Sequence, residues 1–158
     1  MFFGVSTLQT VHVLISLVGI AAGLWVLAGM IRSQRMNRMT ALFLAATVAT
    51  TASGFIFPFG GVTPAFATGI VSSAVLAVTL YARYGARMAG RWRSIYVVSA
   101  VISLYLNAFV LVVQLFLKIP SLNALAPGGT EPPFLIAQGL TLAGFAIAGF
   151  LALRRFRV

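Results

Sequence analysis

The run TLQTVHVLISLVGIAAGLWVLAGM, Thr7–Met30, contains no aspartate, glutamate, lysine or arginine. An uncharged apolar run longer than about 18 residues reads as a membrane span, and this one decides the class of the chain. RSQRMNR follows at once, Arg32–Arg38. Four further apolar runs recur between short connections: Thr40–Phe57, Ala65–Ala82, Ser94–Leu117 and Pro133–Leu153. The expected fold is all-α: a polytopic membrane protein, a bundle of five transmembrane helices in a single domain over residues 1–158. The second run is the shortest, and Phe59 beside it lengthens it slightly.

Composition agrees. Hydrophobic residues make up 61% of the chain and charged residues 8%, against about 25% charged in soluble domains. So small a chain cannot hide that much apolar surface in one water-facing core. There is no cysteine, which excludes disulfide and thiol chemistry. The net charge of +10 invites a nucleic-acid reading, but the arginines sit in connections between spans, so no nucleic-acid partner is expected.

Those arginines set the topology. Arg32, Arg35 and Arg38 lie after the first run, Arg83, Arg87, Arg91 and Arg93 after the third, and Arg154, Arg155 and Arg157 after the fifth. With five alternating spans all of them share one side. The uncharged turn PFGGVTP (Pro58–Pro64), Lys118 and Glu131 fall on the other. The positive-inside rule then puts the N-terminus outside and the C-terminus inside. The first ten residues carry no positive charge and do not read as a secretory signal. Trp25, Tyr84, Trp92 and Tyr96 read as belt anchors, and the arginines beside them can meet anionic headgroups.

The only acid, Glu131, stands in APGGTEPPFLIAQ, Ala126–Gln138. It is expected at the start of the fifth helix, with Thr130 as N-cap and a proline in the first turn; a carboxylate there faces the positive helix end. A pairing with Lys118 across the loop is the functional alternative. Between them Ser121 can cap a short interfacial turn, LNAL.

Polar groups at membrane depth need protein or water. His12, the one histidine, shares a helical face with Gln9 and Ser16. Its plain reading is a neutral imidazole bonded to a neighbouring helix; proton handling or ligand binding is the alternative, and metal ligation lacks a partner set. Ser99, Ser103, Asn107, Gln114 and Lys118 form one line on the fourth helix, read either as interhelical hydrogen bonding or as a polar lining. Gln138 lies in the outer third of the fifth. Gln9, His12, Gln114, Lys118, Glu131 and Gln138 thus sit toward one side, with Asn107 deeper, which suggests an outward-facing polar pocket forming a ligand or proton path. Gly19 and Gly23 in GIAAG permit close helix approach, inside the bundle or in a dimer. Thr47, Thr51, Ser53 and Gly54 offer a similar small surface, as do Gly144 and Ala148.

GRWRSIYVVSAVISLYLNAFVLVVQLFLKIPSLNALAPGGTEPPFLIAQ, Gly90–Gln138, resembles small bacterial inner-membrane proteins of unassigned role, and HVLISLVGIAAGLWVLAGMI and TASGFIFPF fit the same resemblance. It implies a bacterial inner-membrane setting and brings no catalytic or binding residue with it. Three functions follow as expectations. The first is an accessory or anchor subunit of a larger membrane complex, with a membrane-protein partner or a second copy. The others are a small transporter or channel subunit, and a binder of a lipid-soluble cofactor: a quinone held by His12 with Gln114 or Gln138, or a haem bridged by His12 from two copies. No zinc motif, phosphate loop, dinucleotide fingerprint or Ser-His-acid set is legible, so no catalytic or metal residue is nominated and an enzyme is not the leading expectation.

Overall fold

The computed structural model describes residues 7–57 and 61–157, and all regular structure among them is helical. The helices are α1 (Thr7–Ile31), α2 (Asn37–Gly54), α3 (Pro64–Leu80), α4 (Arg91–Lys118), α5 (Pro120–Leu125) and α6 (Pro132–Arg155). α3 continues through one π-helical turn, Tyr81–Gly85. Four segments are long and apolar enough to cross a bilayer: Thr7–Ile31, Ala65–Gly85, Arg91–Lys118 and Pro132–Arg155. The chain is a multi-pass membrane protein. α2 falls outside that set because Asn37, Arg38 and its threonines lower its hydropathy. It begins before the expected Thr40 and ends before Phe57, while Phe59 and the Pro58–Gly60 part of the turn lie outside the described residues.

Each helix stops for a local reason. Ser33 takes a left-handed φ of 56° and the Gln34 N–H reaches back to the Gly29 carbonyl at 2.8 Å, closing α1. Pro120 forces Ile119 into extended backbone and ends α4. It then opens α5, where LNAL was expected to turn; the N-cap is Ile119 and Ser121 makes no cap. α6 starts with Pro132 and Pro133 after an extended Glu131, so Glu131 rather than Thr130 holds the N-cap position.

α1 and α2 form an antiparallel hairpin in contact along its length. At one end a Cβ on Gly29 would meet Met36 Sδ at 2.7 Å. Further along, a Cβ on Gly23 would meet the Phe43 ring at 2.9 Å, and one on Gly19 would meet Ala46 Cβ at 3.3 Å. At the far end His12 Nδ1 lies 2.6 Å from Ser53 Oγ. Every step along α1 is answered by an opposite step along α2, so both cover the same height. Two α2 threonines bond back to their own helix: Thr47 to the Phe43 carbonyl at 2.7 Å and Thr50 to the Ala46 carbonyl at 2.8 Å. They therefore need no water at that depth.

α4 is central, packing on α1, α3 and α6. The core gathers toward the arginine-bearing end, around Tyr96, Phe43, Phe156, Leu44 and Leu104. Side chains bind the three arginine-bearing segments together there. Arg83 donates to Asn37 Oδ1 at 2.5 Å and lies 5.3 Å from the Tyr96 ring centre. Arg93 donates to the Phe156 carbonyl, and the Arg157 N–H donates to Ser33 Oγ at 3.0 Å. Tyr81 and Trp92 meet edge to face at 4.9 Å. By contrast α6 buries only 6% of its apolar window, against 44% for α1. It packs through Phe145, Ala148 and Ala152, and a Cβ on Gly149 would meet Val101 at 3.0 Å. Ala148 therefore packs as expected, but Gly144 faces open space.

GIAAG is thus a contact within the chain. A Cβ on Gly23 would also stand 2.5 Å from Leu104 Cδ1. Gly23→Leu is expected to destabilise the protein by about 1–3 kcal/mol through overpacking, and Gly144→Leu to leave it unchanged. Melting temperatures in detergent check this; equal shifts for the two variants would contradict the seam.

Candidate functional site

The arginine-free end is more open and carries two adjoining features. The first is a polar seam between α1, α2 and α4. The Ser53 hydroxyl donates to the Thr50 carbonyl at 3.0 Å. With that proton committed, Ser53 Oγ accepts from His12 Nδ1. Phe57 meets the imidazole edge to face at 5.3 Å. Lys118 ends α4. Deeper, Asn107 Nδ2 donates to Thr47 Oγ1 at 3.4 Å. Asn107, Gln114 and Lys118 share one face of α4 because spacings of seven and four return nearly to the same angle. Gln9 is half-buried one turn from His12 and has contacts of its own.

The second feature is a groove of about 280 Å³ between α3, α4 and the start of α6. Phe109, Phe116 and Phe134 supply aromatic walls, Ala126 and Gly129 the roof, and Thr68 and Gln114 the polar groups. Phe116 and Phe134 meet edge to face at 5.4 Å. Gln114 belongs to both features, since it lines the groove and stands on the polar face of α4. Gln138 lies just behind the wall: its Nε2 donates to the Phe109 carbonyl at 3.1 Å, and its buried Oε1 has no hydrogen-bond partner.

Glu131 holds the roof. Its carboxylate turns to its own loop rather than to Lys118, accepting from the Gly128 N–H at 2.8 Å and the Thr130 N–H at 3.0 Å. The only acid thus orders the turn that covers the groove. The Asn123 amide adds a bond to the Phe116 carbonyl at 3.2 Å, tying α5 down.

The sequence-derived residues therefore divide. His12 comes together with Ser53, and Lys118 stands at the end of α4. Asn107 joins α2 deeper in the same seam, and Gln114 links seam to groove. Gln138 and Glu131 support the groove from behind and above. Gly19 and Gly23 belong to helix packing. Ser53, Thr47 and the phenylalanine walls had no individual role from sequence; the seven-residue spacing of Phe109 and Phe116 was their only signal. Among the described residues no three His, Cys, Asp or Glu side chains gather as a metal-binding group. No family model matches the sequence, and no curated protein or solved structure is significantly similar to it.

Bonds from the Gly128 N–H, then from the N–H groups of Glu131 itself and Thr130, hold the Glu131 carboxyl below its ordinary pKa. A depressed carboxyl contributes order above its free pKa of about 4 and loses it as pH falls through the lower folded value. Amide exchange at Gly128 and Thr130 should therefore be slow at neutral pH and accelerate, beyond the intrinsic pH effect, in strong acid. Glu131→Gln should exchange fast throughout. Unchanged protection in the variant would contradict the roof assignment.

Proposed function

We propose that the chain is a five-span protein of the bacterial inner membrane, with its N-terminus outside and its arginine end inside, which holds a lipid-soluble ligand at its outer end. α2 is the added span. Support comes from its full-length register against α1 and from its self-satisfied hydroxyls. The inside assignment of the arginines follows the charge rule.

The observation that carries the function is the apolar groove bordered by Gln114 beneath the Glu131 loop. Such a site suits a molecule with an apolar body and a hydrogen-bonding head, and a quinone is the ligand class that fits. Its ring would lie among the phenylalanines and its carbonyl would meet the Gln114 amide. His12 and the Lys118 cation lie beyond Gln114 toward the polar seam, where a reduced or anionic head would find complementary groups. His12 turns toward α2, so a haem shared between two copies finds no support in its placement.

A second reading is the accessory subunit, favoured by α6. Leu135, Ile136, Leu142 and Phe150 are exposed, and a Cβ on Gly139 or Gly144 would meet nothing within 4 Å. That face offers a membrane-protein partner a close approach.

Native mass spectrometry of the gently released protein, titrated with a short-chain ubiquinone, tests both. Wild type is expected to retain the quinone, and Gln114→Leu to weaken it by up to about tenfold, the worth of one lost hydrogen bond. Equal retention would contradict the quinone site. A co-released protein mass lost on Gly139→Leu would support the accessory reading instead.

A further inference from the structure

A second, larger groove lies at the opposite end, on the lipid-facing side of α4. It holds about 480 Å³ and is lined by Val75 and Val78 of α3, Ile95, Val98 and Ile102 of α4, and Leu153 of α6. α4 forms the floor and its two neighbours the walls. Nearly all of the lining is hydrocarbon, and the Ser99 hydroxyl is bonded back to the Ile95 carbonyl at 2.7 Å. Ile95, Val98 and Ile102 are nonetheless exposed, so the floor is open to whatever lies beside it.

The floor residues continue to a charge. Arg91, Ile95, Val98 and Ile102 are spaced by four, three and four, which keeps them on one face of the helix. Arg91 is exposed in the first turn of α4, one turn before the floor residue Ile95. Arg154 follows the wall residue Leu153, is exposed, and lies 5.6 Å from the Phe150 ring centre. Arg83 and Arg93 are committed to Asn37, Tyr96 and Phe156. Arg91 makes no such contact among the described residues, the Arg154 guanidinium stacks on Phe150 and donates no side-chain hydrogen bond there, and no acid stands at this end of the chain.

Length decides the occupant. From Arg91 to Ile102 the helix rises about 16 Å at 1.5 Å per residue. That is close to half of a hydrocarbon core of about 30 Å, the depth of one leaflet. A groove that starts beside two guanidinium groups whose N–H groups are not held by the protein, at headgroup level, and ends near mid-membrane matches one phospholipid with an anionic head. We infer that this groove is a binding site for an anionic phospholipid of the arginine-side leaflet, with its phosphate between Arg91 and Arg154 and one acyl chain on Ile95, Val98 and Ile102. Guanidinium binds phosphate through paired hydrogen bonds, which gives the site more than diffuse attraction. The site is separate from the groove at the other end and does not depend on the ligand proposed there.

The test uses the full-length protein in a nonionic detergent, titrated with phosphatidylglycerol or with phosphatidylcholine of the same chains and read by native mass spectrometry. Wild type is expected to retain phosphatidylglycerol the more tightly. Arg91→Gln should weaken phosphatidylglycerol about fivefold, the effect of one arginine at a membrane surface, and phosphatidylcholine, whose choline offsets its phosphate, by less. Val98→Trp, which fills the groove, should lower retention of both lipids; if far-UV circular dichroism shows that it does not fold, Ile102→Phe takes its place. Arg35→Gln, on the α1–α2 connection, should match wild type. Equal retention of the two lipids by wild type, unchanged binding in Arg91→Gln or in the groove-filling variant, or an Arg35→Gln loss as large as that of Arg91→Gln would each overturn the assignment.

Discussion

The close approach of α1 to α2 is the constraint on which the rest of the bundle depends. Gly19, Gly23 and Gly29 leave no side chain between the two helices, and Ala46, Phe43 and Met36 occupy the space. Between apolar helices in lipid there is little hydrophobic driving force, so van der Waals contact of this kind carries association. It also admits Leu104 of α4 to the same point, 2.5 Å from where a Gly23 Cβ would stand. The hairpin thereby fixes α4, and α4 positions α3 and α6. The same register brings Ser53 to His12 at the far end, so the polar seam follows from the packing.

The two ends then differ because the connections differ. At one end Arg83, Arg93 and Arg157 tie three chain segments to one another beside the Tyr96 and Phe156 rings. At the other, α2 and α3 are joined by a turn without charge, and the long α4–α6 connection folds on itself through Glu131. A closed end and an open end result, and the open end holds Gln114 in an apolar groove. The single acid and the single histidine acquire their surroundings there: Glu131 as the clasp of the roof, His12 as a ring that donates to Ser53.

Much of this architecture was legible in the sequence. Long uncharged runs and the arginines between them gave the helices to within a few residues, because hydropathy and charge act along the chain. α2 was legible chiefly through the arginine segregation; its threonines make it look too polar, and only the folded helix reveals that Thr47 and Thr50 bond to its own carbonyls. Depth was also legible, which placed His12, Gln114, Gln138 and Lys118 toward one end. Lateral placement was not. Nothing along the chain says that Asn107 faces Thr47, that Gln138 lies behind Phe109, or that Gly144 faces outward while Gly149 packs. The π-turn at Tyr81–Gly85 was equally hidden, as was the reach of Arg83 within it to Asn37 of α2.

The central claim is that α2 crosses the membrane beside α1, so that the α2–α3 turn and the arginine-bearing connections lie on opposite sides. The chain has no cysteine, so a single introduced thiol reports its own side. The measurement is labelling of Val62→Cys and Arg35→Cys with a membrane-impermeant maleimide added to intact spheroplasts. With α2 across the membrane, Val62→Cys labels at once and Arg35→Cys labels only after permeabilisation. Protection of both until permeabilisation, or immediate labelling of both, would put the two connections on one side and contradict it.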